Sequence, residues 1–282
     1  GYVGSHVMKC LLQRDWDVRG ISRTATSQQD WLQSMVKKVS PGDETRVRLT
    51  DIDMAKPTET EVSLLDPVLE GSHAVFFCAG TETQSPATID FMVGASQAIL
   101  QSARKNHVGC VVLTSSGGST NPPDLDDTVT PKNEVWHWSD ADAQIKVGKY
   151  SPAAKTLMET KALEAVGRNL QNQVVDERLA KGAPRLCIMN PNLILGPQLK
   201  PGLPSGNSVP WIVSILKGNS MSKQIPNDSI SVIDVRDLAE LHVACAEQES
   251  ASGRYFSVDK SYPWSQVLGS LKRAYPSYTL PP

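Results

Sequence analysis

The 282-residue sequence has no apolar run approaching the ~18 residues of a membrane-spanning helix, so no segment reads as one. It has no charge excess of either sign. The 28 Lys and Arg stand against 30 Asp and Glu, a formal net charge of -2, which gives no electrostatic reason to expect a nucleic acid or a membrane surface as partner. There is no C-x-x-C, and His6, His73, His107, His137 and His242 show no metal-ligand spacing, so no metal site is read. The five cysteines (Cys10, Cys78, Cys110, Cys187, Cys245) are odd in number, widely spaced and mostly inside apolar runs. Buried thiols in a reducing compartment account for them, and a cytoplasmic location is expected, although a lost targeting peptide is compatible with it. Internal repeats and low-complexity tracts are also absent. What remains, 40% hydrophobic and 21% charged, is an ordinary globular composition, long enough for one large domain or two small ones.

The chain opens Gly1-Tyr2-Val3-Gly4-Ser5-His6, the second half of a G-x-x-G-x-x-G loop. An amphipathic stretch follows, with Val7, Leu11 and Leu12 opposite Lys9, Gln13 and Arg14. Glycines at a helix start let a pyrophosphate approach bare backbone N–H groups, and the helix dipole favours its charge. Position 1 is not Met, and the first glycine of the loop and the strand that would feed it are lacking. The chain is therefore expected to be a piece of a longer protein whose first strand is missing, and to need its native N-terminus to fold well.

Downstream, β-type runs alternate with helical patterns. Residues 17–22, 74–78, 108–114 and 185–189 read as strands, and Ile89, Val93, Ile99 and Ala103 recur near helical spacing. This order predicts an α/β protein whose parallel sheet is covered on both faces. Residues 197–210, rich in Pro, Gly and Ser, read as a loop near the substrate side. Asp234 reads as the N-cap of a helix with Asp237 three residues on, 253–258 as a short strand, and 263–275 as a helix with Pro in its first turn. The expected division is a nucleotide-binding region over 1–190 and a mainly substrate-binding region over 191–282, with 231–258 returning to the core.

Arg23 stands just beyond the strand that follows the first helix, where the adenosine ribose lands in a dinucleotide fold. An acid there would bind a 2′-hydroxyl, whereas an arginine suits a 2′-phosphate, which favours NADP over NAD. Strand 111–113 ends in Thr114-Ser115-Ser116-Gly117-Gly118, beside the crevice where cofactors bind in such sheets. Further on, Ser151 and Pro152 read as N-cap and first residue of a helix, which turns Lys155 outward one turn in. Each has a plainer reading alone: a solvated arginine, a turn serine, a surface lysine. Their order along the chain is what points to a site.

In that order the chain resembles an extended short-chain dehydrogenase/reductase. It is most similar to the dihydroflavonol reductase and cinnamoyl-CoA reductase group of the NAD-dependent epimerase/dehydratase family. The resemblance rests on Gly1–His6, Val18–Arg23, Val111–Ser116, Trp138-Ser139-Asp140, Lys155-Thr156-Leu157-Met158-Glu159, 234–239, Gly253-Arg254-Tyr255 and 275–281, and covers nearly the whole chain. It implies a Rossmann-type doubly wound sheet with a smaller C-terminal substrate region. It also implies a tyrosine that donates a proton to a substrate carbonyl, a lysine that holds the nicotinamide ribose and lowers the tyrosine pKa, and a serine that orients the carbonyl. Carried onto this chain, the serine is Ser116 and the lysine Lys155. The family spacing is Y-x-x-x-K, but position 151 is Ser151, and Tyr150 lies one residue early. Tyr150 is expected to precede the N-cap, where a non-helical backbone would let the phenol swing into place; the alternative is an inactive or rewired site. The cofactor positions implied are Gly1, Tyr2, Val3, Gly4, Arg23, Asp51, Ile52, Cys78, Ala79, Gly80, Lys155, Pro191, Asn192 and Leu193, with Asn190 just before them. Asn121 matches a substrate contact of the dihydroflavonol reductases, although turn chemistry explains it equally well.

The cysteine-containing signature of plant cinnamoyl-CoA reductases is absent, which counts against cinnamoyl-CoA as substrate. Trp136 and Trp138 are candidates for the pocket lining or for packing. The function expected is an NADPH-dependent reductase of a ketone or aldehyde on a small hydrophobic substrate, acting as monomer or homodimer. The alternatives are a sugar-nucleotide epimerase or dehydratase of the same superfamily, which commonly keeps an acid near position 23, and a non-catalytic NADP-binding regulator.

Overall fold

Short apolar runs bounded by turn residues form the strands, and amphipathic runs between them form the helices that cover the sheet. The computed structural model describes residues 1–42, 44–55, 59–81, 83–124, 131–200, 202, 206–219, 225–278 and 280. Parts of the Pro- and Gly-rich stretch 197–210 and of the stretch 275–281 lie outside the described residues. In chain order the elements are α1 (Tyr2–Gln13), β1 (Val18–Ser22), α2 (Gln29–Val39), β2 (Val47–Asp51), α3 (Glu59–Leu69), β3 (Ala74–Phe77), α4 (Pro86–Lys105), β4 (Cys110–Thr114), α5 (Ala141–Lys146), α6 (Tyr150–Ala165) and α7 (Glu177–Ala180). They continue as β5 (Arg185–Pro191), β6 (Leu193–Leu195), α8 (Ser208–Leu216), β7 (Ser229–Asp234), α9 (Val235–Glu247), β8 (Gly253–Ser257), β9 (Lys260–Pro263) and α10 (Trp264–Ala274).

The central sheet has the order β3-β4-β5-β8, parallel throughout. β1 and β2 pair in parallel as a separate ladder, and β6-β7-β9 form a mixed third sheet. β4 is buried at every residue because both its faces are covered. Side chains alternate between the faces of a strand. Val111 and Leu113 accordingly join the cluster built with α4 and α6, while Cys110 and Val112 join Cys187, Met189 and Cys245 on the other side. α1 and α9 pack together through Val3, Val7 and Leu11 against Val235, Leu238 and Val243. The five cysteines are free thiols, four of them buried. No described helix is long and apolar enough to cross a membrane.

Sequence and structure agree on the α/β parallel architecture. Asp234 caps α9 as expected, accepting from Arg236 N, and its partner is not Asp237. The helix over 264–274 starts one residue later than expected, with Pro263 as its N-cap. The elements α2 and β2 were not foreseen, although Leu32, Met35 and Val36 have helical spacing and Val47 and Leu49 alternate.

The side chain of Leu113, wholly buried beneath the site, tests how far the sheet's core sets the stability. Leu113→Ala is expected to destabilise the fold by about 3 kcal/mol, read as a lower urea midpoint at unchanged slope.

Candidate active site

α1 points its N-terminus at the crevice above the sheet. Gly1 is its N-cap and provides no side-chain cap, so the first-turn N–H groups keep their capacity to donate. A Cβ on Gly1 would meet nothing within 4 Å, whereas one on Gly4 would touch Cys78 Cβ at 3.4 Å. Glycine at position 4 thus lets the helix close onto the end of β3. The Tyr2 hydroxyl donates to Gly196 O (2.9 Å), and a His6 ring nitrogen bonds Pro197 O at 2.9 Å. Burial, and then the Asp234 carboxylate, push the Tyr2 phenol up to about 12, so it stays a neutral donor at ordinary pH. Gly196 has φ +132°, and a Cβ there would stand 2.9 Å from Val235 Cγ1, so both the backbone and the packing demand glycine.

The turn after β1 is braced from within. Ser22 Oγ accepts from Thr24 N and from Gln28 Nε2. The Asp51 carboxylate accepts from Ala25 N (2.6 Å) and Thr26 Oγ1 (2.8 Å), and these donors hold it below the usual carboxylate range. Asp51, expected beside an adenine, spends its carboxylate on this turn. Ile52 is buried, and its N–H donates to Ser22 O. Arg23 stands exposed on the braced turn, and among the described residues its guanidinium makes no hydrogen bond or ion pair.

At the end of β4 three elements meet. Lys155 Nζ donates to Thr114 O at 2.7 Å, so Lys155 turns inward to the strand end, not outward as its helix position suggested. Its side chain leaves the face of α6 that packs on the sheet. Burial draws its pKa from 10.5 down to about 8, against the upward pull of Glu159 and Cys78. The Thr114 hydroxyl lies 2.7 Å from His242 Nε2, and His242 Nδ1 donates to Leu238 O at 2.7 Å. Burial lowers His242 to about 4. The ring is therefore neutral near pH 7, with its proton on Nδ1, and Thr114 is the donor to Nε2. Cys78, beside Thr114 and Lys155, joins this cluster to Gly4 of α1. Ser116 caps the short turn 117–119, its Oγ accepting from Gly118 N at 3.1 Å.

Tyr150 is not where the sequence put it. α6 begins at Tyr150 with Lys149 as its N-cap, so the phenol starts from a helical residue and Ser151 is inside the helix. Pro152 allows this, because the first N–H groups of a helix lack intrahelical acceptors and a proline loses nothing there. Five helical steps turn Tyr150 about 140° away from Lys155, whereas Ser151, four steps away, shares its face.

The remaining expected positions flank the same strand ends. Ala79 and Gly80 are exposed just past β3, and Gly80 has open space where a Cβ would be. Pro191 and Leu193 are buried, and Asn192 is exposed against Gly117. Asn121 donates through Nδ2 to Gly117 O at 3.1 Å, and its Oδ1 accepts from Lys132. Its carboxamide is engaged within the loop. Trp136 is 68% exposed, whereas Trp138 packs under the Arg254 guanidinium, 3.6 Å from the ring centroid.

Sequence reasoning missed the charged centre of this region. Glu159 and Arg254 are 0% and 9% exposed and meet through Oε2 and Nε at 2.7 Å. Glu159 Oε1 accepts from Asn190 Nδ2 (2.8 Å) and from the Ser115 and Ser119 hydroxyls. Desolvation pushes the Glu159 carboxyl up, while Arg254 and these donors pull it back. Three donors on Oε1 and the guanidinium 2.7 Å from Oε2 are what favour the charged form of the pair against its burial. The one sequence signal was Glu159 four residues after Lys155, on the same helix face.

An uncapped helix N-terminus, open glycines at its start and at the end of β3, an unpaired arginine after β1 and a lysine at the end of β4 together fit a dinucleotide. They define a Rossmann-type nucleotide-binding protein. Residues 1–140 match the NAD dependent epimerase/dehydratase family. Over its full length the chain is 29% identical to cinnamoyl-CoA reductase 2 of Arabidopsis thaliana, covering 77% of that protein. It is 26% identical to dihydroflavonol 4-reductase of Callistephus chinensis, with 100% of this chain and 72% of that one covered. Among solved structures it superposes on yeast methylglyoxal/isovaleraldehyde reductase complexed with NADPH with a TM-score of 0.71, at 20% identity, covering 100% of this chain and 82% of that one. The chain is thus similar over residues 1–140 to the NAD dependent epimerase/dehydratase family and over its full length to the extended short-chain dehydrogenases/reductases of the dihydroflavonol and cinnamoyl-CoA reductase group.

The Lys155 pKa has a testable consequence. Its folded value of about 8 lies below its ordinary 10.5, so between these values the unfolded chain binds more protons and stability rises with pH. Denaturant midpoints of the cofactor-free protein from pH 7.5 to 9.5 are expected to climb relative to those of Lys155→Met. Parallel pH profiles would show that the ammonium is not desolvated.

Proposed function

We propose that this protein is an NADPH-dependent carbonyl reductase that converts a ketone or aldehyde on a small hydrophobic substrate to an alcohol. Similarity to these reductases supports an NAD(P)-dependent oxidoreductase acting on carbonyl or CH–OH groups. The observation that carries the reading is Lys155 anchored at the end of β4, in the crevice that α1 faces. NADP(H) is the cofactor, and it supplies hydride from its nicotinamide when bound. The first turn of α1 takes the pyrophosphate on backbone N–H groups, and Gly4 permits the close approach. Arg23, without a partner among the described residues, meets the 2′-phosphate on a turn that Asp51 holds in shape. Cys78, Ala79 and Gly80 pass beneath the dinucleotide, and Pro191, Asn192 and Leu193 flank the nicotinamide end. Lys155 holds the ribose, Ser116 orients the substrate carbonyl, and Tyr150 donates the proton to its oxygen. Residues 191–282 supply most of the substrate side, with Asn121 on the opposite rim.

The turned position of Tyr150 favours one other reading, a protein that binds NADP without turnover. Calorimetry with NADPH and NADH, coupled to NADPH oxidation over a panel of ketones and aldehydes, separates the two. NADPH is expected to bind more tightly than NADH, and Arg23→Ala is expected to erase about tenfold to a hundredfold of that preference. Tyr150→Phe is expected to lower kcat by about 10²–10⁴-fold with NADPH affinity unchanged. Tight NADPH binding without turnover across a widening panel would favour the non-catalytic reading. Turnover that survives Tyr150→Phe would remove the tyrosine from the mechanism.

A further inference from the structure

We propose that Glu159 and Arg254 are positioning residues, a buried ion pair that sets the two loops on the substrate side of the crevice. The inference rests on the reductase reading. Neither side chain needs to touch substrate or cofactor; both act through what they hold.

The pair gathers segments that have no other reason to meet. Glu159 lies on the inward face of α6, one turn beyond Lys155. Its carboxylate collects Ser115 and Ser119 from either side of Ser116, and Asn190 from the end of β5. Asn190 Nδ2 also lies 3.2 Å from Ser116 O and 3.0 Å from Ser119 Oγ, so its two N–H groups are shared among these acceptors and Glu159. The backbone that carries Ser116 is thus gripped before, at and after that residue. Arg254 comes from β8. Its Nη1 donates to Glu134 O (2.8 Å) and His137 O (2.9 Å), and its Nη2 to Ser119 O (3.0 Å). Its plane lies over Trp138. One guanidinium therefore ties residues 134–138, which present the exposed Trp136, to the loop of Ser116 and Asn121. Ser139 adds a second link, with Oγ donating to Gly118 O and accepting from Asn121 N.

A charge pair buried this deeply is a poor way to stabilise a fold, because desolvation offsets most of the attraction and a well-packed apolar pair does as well or better. It does impose direction. A carboxylate with three donors on one oxygen and a guanidinium fork with its carbonyls in place admit one arrangement of the loops, which apolar packing would not specify. Ser116 orients a carbonyl only if its loop is held to within a fraction of an ångström; a misplacement of about 1 Å costs about 10²-fold in rate.

The test compares wild type, Arg254→Lys and the apolar double variant Glu159→Met/Arg254→Met. Arg254→Lys keeps the charge but lacks the fork that serves three carbonyls, and the double variant removes the charges together so that none is stranded. Three readouts are taken: NADPH affinity by calorimetry, amide hydrogen exchange of the cofactor-free protein, and kcat and KM. Exchange is expected to accelerate in residues 116–121 and 133–139 while β1 and β3 keep their protection. In Arg254→Lys, which keeps the Glu159 carboxylate beside Lys155 and Asn190, NADPH affinity is expected to stay within about twofold of wild type and kcat/KM to fall about 10²-fold. Unchanged exchange in these loops would overturn the proposal, as would loosened loops with wild-type kcat and KM, which would make the pair structural only. A wild-type protein that binds NADPH and turns over nothing would remove the reductase reading, and the positioning role with it. If the double variant fails to fold, Arg254→Lys decides alone.

Discussion

The end of β4 is the constraint from which the rest of the site follows. Thr114 uses both its polar groups there: the carbonyl takes the Lys155 ammonium and the hydroxyl takes the His242 ring. The next residue, Ser115, turns to Glu159. Because β4 is covered on both faces, these groups have protein partners or none, and each bond they make fixes a different element. α6 is positioned by Lys155 and Glu159, α9 by His242, and β5 by Asn190. The crevice exists because two helices and a neighbouring strand are hydrogen-bonded around one strand end.

The charges in this region are arranged so that burial acts differently on each. Lys155 is desolvated with a carbonyl as its direct partner, and its pKa falls to about 8. That leaves the ammonium poised near neutrality and sensitive to whatever binds beside it. Arg254 is desolvated as well, but it has a carboxylate, three carbonyls and an aromatic face around it. The first group is suited to respond to a ligand, and the second to hold still. This contrast between a loosely compensated cation and a fully compensated one separates the group proposed to meet the ribose from the group proposed to hold the loops.

The elements legible in the sequence were those whose signal is local. Val111, Val112 and Leu113 form an apolar run that reads as a buried strand, and Asp234 before Val235 reads as an N-cap. Gly1 and Gly4 ahead of an amphipathic stretch read as a helix start that favours anions. The direction of Lys155 was misread because a lysine one turn into a helix has no local mark of burial; a distant strand end turned it inward. The Glu159–Arg254 pair was invisible for the same reason, since α6 and β8 are far apart in the chain and only the closed sheet brings them together. Pro152 misled in a subtler way, because a proline marks a helix's first turn without saying which residue of that turn it occupies. Resemblance to a family supplied Ser116 and Lys155 as a pair, and geometry supplied what holds them.

That one-residue ambiguity at Pro152 bears directly on the chemistry. With α6 starting at Tyr150, the hydroxyl on the Lys155 face is that of Ser151, while the phenol projects from the first helical position about 100° away. A serine hydroxyl is a far weaker acid than a phenol, so it could serve a carbonyl oxygen as an orienting donor but not readily as the proton's origin. The phenol has the acidity but must reach across the first turn. The first turn is where such a reach is least constrained, because the backbone before it, at Lys149, is non-helical, and the Ser151 N–H bonds a side chain, Gln84 Oε1, in place of a helical carbonyl. In the proposed mechanism the rearranged motif would separate two duties that one tyrosine would perform four residues before the lysine: orienting the carbonyl, which would fall to Ser116 and Ser151, and supplying the proton, which would fall to Tyr150.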